Sequence, residues 1–201
     1  MGKNIINKTA NSRFAKIIIE FLLPGMNNEQ AIIFSGSKIK TKMLIFSALT
    51  LIAAFLPTVI HSQFITGPLV NMSLILATFL VGPFEAVFLG LMPSVLALTS
   101  GLLPLPLAPV VPFIMISNAI LVGVYYYFGR KKIGFSILAA SSLKFLFLFG
   151  IARLLAGVLL SGKAINIAIL MMGWMQFFTA VAGGVLAYAV LSLVQKSRII
   201  L

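Results

Sequence analysis

The sequence contains no cysteine, which excludes disulfides, thiolate metal sites, iron–sulfur clusters and cysteine nucleophiles. Acidic residues are nearly absent: Glu20, Glu29 and Glu85 are the only side-chain carboxylates in 201 residues, and His61 is the only histidine. Zinc sites therefore lack ligands, metal-assisted phosphotransfer lacks an acidic cluster, and a serine nucleophile finds no base beyond the isolated His61. There is no Walker motif, so ATP is not bound and hydrolysed by that route. This inventory argues against an enzyme and against a resident cofactor or metal. Charge of any kind is scarce too. Charged residues make up 9% of the chain, whereas a water-soluble domain carries about a quarter.

What fills the chain instead is apolar. Hydrophobic residues reach 61% and the mean hydropathy is +1.14, so a soluble fold would have too little polar surface to cover itself. The expected fold class is an all-α membrane protein. About 20 apolar residues cross a bilayer. Cutting at His61-Ser62-Gln63, Gly82-Pro83, Gly101 to Pro109, Arg130-Lys131-Lys132 and Ser161-Gly162-Lys163 leaves six spans, roughly 42–60, 66–81, 83–100, 109–129, 133–160 and 164–195.

The distribution of the 15 basic residues tests that number independently. With six spans and both termini cytoplasmic, twelve of them gather on the inner side: seven from Lys3 to Lys42, then Arg130, Lys131 and Lys132, then Lys196 and Arg198. Lys163 alone falls in an outer loop, and Lys144 and Arg153 lie within the fifth span. The formal charge of +12 is thus an orientation signal. It gives no indication of nucleic acid, because no exposed aromatics interleave with the basic residues. Residues 1–41 read as a basic cytoplasmic segment with a short interfacial amphipathic helix over 14–23, and 42–201 as the transmembrane domain. Lys16, Glu20 and Pro24-Gly25 interrupt what would be the apolar core of a signal peptide.

Polar residues inside spans cost about 2–3.5 kcal/mol or more and tend to face the bundle interior or a wet cavity. Here they are Asn71, Asn118, Lys144, Arg153, Trp174 and Gln176, and at about 1.5 Å of rise per residue most fall in the outer half of the bilayer. Together they suggest a pocket for a water-soluble ligand arriving from outside. The plainer alternatives are cross-helix hydrogen bonding by Asn118 and Gln176, snorkelling of Arg153 to the headgroups, packing for Trp174, and a pairing of Lys144 with Glu85. Residues nine apart on a helix point in opposite directions, so Lys144 and Arg153 compete for the pocket. Arg153 shares its face with Gly150 and Gly157, the small-residue side, and is the better pocket candidate on a straight helix.

Small residues recur as Ala180-x-x-x-Gly184 and Gly183-x-x-x-Ala187 in the last span, and as Thr50-x-x-x-Ala54 with Ala48 and Ala53 in the first. Such spacings mark close helix contact, within the chain or with a partner. Pro104, Pro106, Pro109 and Pro112 forbid a regular helix between spans three and four. They predict an extended apolar loop packed over the bundle mouth, either as a lid or as a static connector.

Over residues 43–195 this combination resembles the substrate-binding S components of energy-coupling factor (ECF) transporters. The resemblance rests on six short spans and a small-residue first span. It rests also on the runs Phe64-Ile-Thr-Gly-Pro-Leu-Val-Asn71, Val81-Gly-Pro-Phe-Glu85, Leu102-Leu-Pro-Leu-Pro-Leu-Ala-Pro109, Ile116-Ser-Asn118, Leu143-Lys-Phe145 and Met172-Gly-Trp-Met-Gln176. No motif of a named vitamin subtype is present. The resemblance implies a prokaryotic plasma-membrane subunit that captures a vitamin-like micronutrient near the outer face. It implies docking on a transmembrane coupling subunit with two ATPase subunits. It supports Asn118, Arg153 and Gln176 as pocket residues and Ala48, Ala53 and Ala54 as the docking surface. Two other readings stay open: a non-catalytic membrane scaffold or assembly protein, and a self-contained small-solute carrier.

Overall fold

A computed structural model describes residues 38–129, 133–156 and 163–196. The basic segment over 1–37, with its expected interfacial helix, lies outside the described residues, as do Arg130 to Lys132. The chain divides into two units, Met1–Leu44 and Ile45–Leu201, and the second holds the candidate site and all helices but the first part of α1.

Helix α1 (Lys38–Thr50) continues through a π-helical turn over Leu51–Phe55 into a last turn, Leu56–Val59. Then come α2 (Gln63–Leu80), α3 (Pro83–Thr99), a 3₁₀ helix over Leu105–Val110, α4 (Val111–Phe128), α5 (Ile133–Ala156), α6 (Lys163–Met172) and α7 (Trp174–Lys196). Among the described residues there is no strand. Five helical stretches are long and apolar enough to cross a membrane, and α3, at 17 residues, is a shorter sixth.

Burial is distributed as a bilayer requires. Phe64, Phe84, Phe88, Leu154 and Leu193 are exposed, whereas Asn71, Ser73, Ser117, Asn118, Ser136, Ser141 and Lys144 are buried. An exterior more apolar than the interior is stable only where lipid replaces water. The protein is an all-α, multi-pass membrane protein.

Helices α2, α3, α4, α5 and α7 form a closed ring in that order, and the π-helical turn packs against α2 and α3. The small residues of α7 serve this ring. A Cβ added at Gly183 would lie 2.6 Å from the Pro68 carbonyl oxygen of α2, and one added at Gly184 would collide with Ile137 of α5. The recurring small spacing of the last span therefore marks contact within the chain.

Two apolar cores result. One contains Leu74, Ile75, Leu89, Leu121, Val122, Ile137, Ala140 and Ala180. The other joins Leu103, Leu107, Val110 and Val111 to Leu148 and Ala152 of α5 and to Ala168 and Met172 of α6. It closes the end of the bundle where the prolines lie. There His61 Nε2 meets the Ser100 carbonyl oxygen at 3.0 Å, and Gln63 Nε2 donates to the Met171 carbonyl at 3.1 Å. The opposite end bears the α2–α3 connection, the last turn of α4, the first turn of α5 and the C-terminus of α7.

Several expectations change. The last span, expected as one segment over 164–195, breaks at Gly173 into α6 and α7. The chain closes so tightly there that a Cβ on Gly173 would sit 2.5 Å from the Ile169 carbonyl oxygen. The proline-rich loop is a 3₁₀ helix over Leu105–Val110 and not an extended run. Pro106 falls in its first turn, where a missing N–H breaks no helical bond, and the Leu107 N–H bonds the Pro104 carbonyl at 2.8 Å. Leu107 and Val110 of this helix are buried against the bundle, whereas Leu105 and Pro106 are exposed. Ala53, expected on a docking surface, is fully buried in the core beside α2 and α3. Ala54 is half-buried and Ala48 exposed.

Candidate functional site

The two apolar cores leave a polar layer between them. On α5, Ile137 and Ala140 belong to one core and Leu148 and Ala152 to the other. Lys144, halfway along this 24-residue helix, lies between them and is 2% exposed. Nζ donates to Asn71 Oδ1 of α2 at 2.7 Å and to Asn118 Oδ1 of α4 at 2.8 Å. Each amide is oriented by its own backbone bond. Asn71 Nδ2 donates to the Gly67 carbonyl at 2.9 Å, and Asn118 Nδ2 donates to the Gly90 carbonyl at 2.8 Å. With its NH₂ group so engaged, each side chain turns its carbonyl oxygen toward the ammonium.

Glycines admit the two amides. A Cβ on Gly90 would lie 3.0 Å from Asn118 Cβ, and one on Gly183 would lie 2.7 Å from Asn71 Cβ. Backbone approach of α3 and α7 thus sets the position of both asparagines.

The Lys144 cluster lines a cavity of about 100 Å³ that extends toward the proline-rich end. Gln63, Ser94 and Gln176 contribute polar side chains, and Leu103 and Met171 bring the capping segments to its wall. Gln63 and Gln176 both donate to the Met171 carbonyl, at 3.1 and 3.2 Å, tying the end of α6 to α2 and α7. Two groups in this cavity have no hydrogen-bond partner: the Ser94 hydroxyl and Gln63 Oε1, both buried atoms. Native structures leave few such groups unsatisfied, so each calls for an explanation. The volume is below the 300–1,000 Å³ of typical small-molecule sites. It admits several waters or a solute of a few heavy atoms.

Family models, curated proteins and solved structures yield no match to this chain. The assignment of a role must rest on the chain's own residues.

Four of the six polar residues singled out from the sequence, Asn71, Asn118, Lys144 and Gln176, line this one cavity. Arg153 and Trp174 do not. Lys144 and Arg153 point to opposite sides of an unbroken α5, and the inward one is Lys144. Arg153 is exposed, with its guanidinium carbon 5.0 Å from the centroid of the Phe149 ring. The Gly150 face taken to mark the interior is itself exposed, and nothing lies within 4 Å of a Cβ built there. Trp174 is 63% exposed and stacks on Phe145 at 4.8 Å.

Glu85 is not the partner of Lys144. It is exposed in the first turn of α3, its carboxylate folded back over Gly82. Gln63 and Ser94 were missed by sequence reasoning. Gln63 stood in what looked like a loop break, and Ser94 is a residue type that hydrogen-bonds its own helix at little cost. Among the described residues no group of three or more His, Asp or Glu is placed to hold a metal.

Proposed function

We propose that the protein is the substrate-capturing membrane subunit of an ECF-type importer. In this reading it lies in a prokaryotic plasma membrane with both termini cytoplasmic, so that the proline-rich end faces outward. It takes up a small vitamin-like micronutrient there and passes it inward with a transmembrane coupling subunit and two ATPase subunits. It has no catalytic role of its own.

The observation that carries the reading is the buried Lys144–Asn71–Asn118 cluster at a cavity near one end of the bundle. A lysine at mid-membrane costs about 2.5–3.5 kcal/mol on insertion scales and marks a functional site by default. The cavity as it stands suits only a small occupant. A vitamin-sized one requires the wall formed by Leu103 and Met171 to move outward, which breaks the Gln63 and Gln176 bonds to Met171.

The test is mass spectrometry of small molecules retained on the purified protein, together with co-purification from its native membrane. One organic solute retained at near-stoichiometric level, with an ATPase pair bound, supports the proposal. A solute retained without ATPases points to a self-contained carrier.

The small cavity favours a second reading, a membrane scaffold in which the cluster only ties α2, α4 and α5 together. That reading predicts no retained solute and loss of thermal stability as the sole effect of substitutions at Lys144 or Asn118.

A further inference from the structure

We infer that the cavity beside Lys144 is built for a small carboxylate that also carries a hydrogen-bond donor, such as a short hydroxy acid. The inference rests on the capture reading above and names the chemical group its substrate would place beside Lys144.

The first observation is an incomplete coordination shell. An ammonium group has three N–H donors. Two are taken by Asn71 and Asn118, and Nζ makes no third hydrogen bond among the described residues. The second is the lack of an anionic partner. No carboxylate among the described residues pairs with Lys144, which is 2% exposed, and two neutral amides do not neutralise a cation. Buried charges are ordinarily paired. The third is the pair of orphaned groups in the same cavity. The Ser94 hydroxyl is 4% exposed as a residue and has no partner; Gln63 Oε1 likewise has none.

A carboxylate answers the first two together. One oxygen accepts the third N–H of Lys144, and its negative charge balances the ammonium. The Ser94 O–H supplies a further donor to the same anion. Gln63 Oε1 can only accept, so it calls for a donor elsewhere on the solute, a hydroxyl or an N–H. A neutral amide fails to balance the charge, and an amine adds a second cation to a buried one. A volume of about 100 Å³ suits an occupant of a few heavy atoms.

The experiment uses the full chain in lipid nanodiscs and four probes: lactate, propionate, lactamide and 1-amino-2-propanol. Binding is read by equilibrium dialysis and by the dose-dependent rise in Tm. Lactate is expected to bind, lactamide and the amine not. Propionate, lacking the hydroxyl, is expected to bind about tenfold more weakly, the equivalent of one hydrogen bond.

Lys144→Met should abolish binding. Because that variant also unpairs two amides, Ser94→Ala is the safer companion: it removes a hydroxyl that bonds nothing in the free protein and should weaken lactate about tenfold. Binding of lactamide or the amine without lactate overturns the carboxylate assignment and leaves the capture reading standing. Equal binding of lactate and propionate, or unchanged lactate binding in Ser94→Ala, overturns the assigned site. Silence from all four probes overturns this inference, and the compound retained on purification decides the capture reading separately.

Discussion

Removing the lysine should damage the fold less than removing either of its amide partners. In Lys144→Met two charge-assisted hydrogen bonds disappear, at 2.7 and 2.8 Å in the native protein. Each is worth about 1.5–3 kcal/mol. The same substitution removes the cost of holding an ammonium at mid-membrane, about 2.5–3.5 kcal/mol. The net loss is about 0–3.5 kcal/mol, with the two amide oxygens it unpairs counted in the bond terms. In Asn118→Leu one such bond goes but the charge stays, now with a single acceptor in an apolar layer. Loss of that bond costs about 1.5–3 kcal/mol with no compensating relief at the lysine. Asn71→Leu should behave alike. The triple variant replaces the whole cluster by apolar groups of similar volume, and such replacements are often neutral or stabilising. It should therefore be more stable than either Asn→Leu single variant. The assay is chemical unfolding in nanodiscs at fixed lipid composition, without added solute. Lys144→Met as the worst of the three single variants, or losses that add to within about 0.5 kcal/mol in the triple, would refute the reasoning.

Other substitutions probe the surrounding geometry. Gly183→Ala should destabilise by about 1–3 kcal/mol, because its Cβ would meet the Pro68 carbonyl at 2.6 Å and Asn71 at 2.7 Å. Gly150→Ala, in the interior of α5 with nothing within 4 Å, should stabilise by up to about 1 kcal/mol; thermal unfolding of the pair checks both. Arg153→Gln should leave solute retention unchanged, since the side chain is exposed and off the cavity; a severalfold loss of retained solute by mass spectrometry would contradict this placement. Gln176→Leu removes one of two side-chain bonds to the Met171 carbonyl and should raise amide hydrogen exchange about fivefold to tenfold across α6 while leaving α2 protected.

The contrast between legible and illegible features follows from how far each depends on tertiary partners. Spans are legible because apolar length is a local property, and the polar residues within them stand out because lipid makes each costly. The break at Gly173 had a signal that went unread: an expected span of 164–195 is well beyond the roughly 20 residues a bilayer needs. The π-helical turn at Leu51–Phe55 had none, since the sequence there is an ordinary apolar run. The buried face of α5 was misjudged for a physical reason. Glycine was taken as the mark of close packing, yet the side that packs carries Ser136, Ala140, Lys144, Leu148 and Ala152, spaced by four and all buried. Small or apolar residues at i−8, i−4, i+4 and i+8 place Lys144 on the interior stripe. Arg153, one residue beyond Ala152, is about 100° off that stripe. The lysine therefore enters the bundle because every neighbour on its stripe does, and α2 and α4 each offer it an amide held in place by a glycine on the adjoining helix. Beside it the Ser94 hydroxyl and Gln63 Oε1 are left unpartnered, as are Thr50 Oγ1 and Ser141 Oγ away from the cavity.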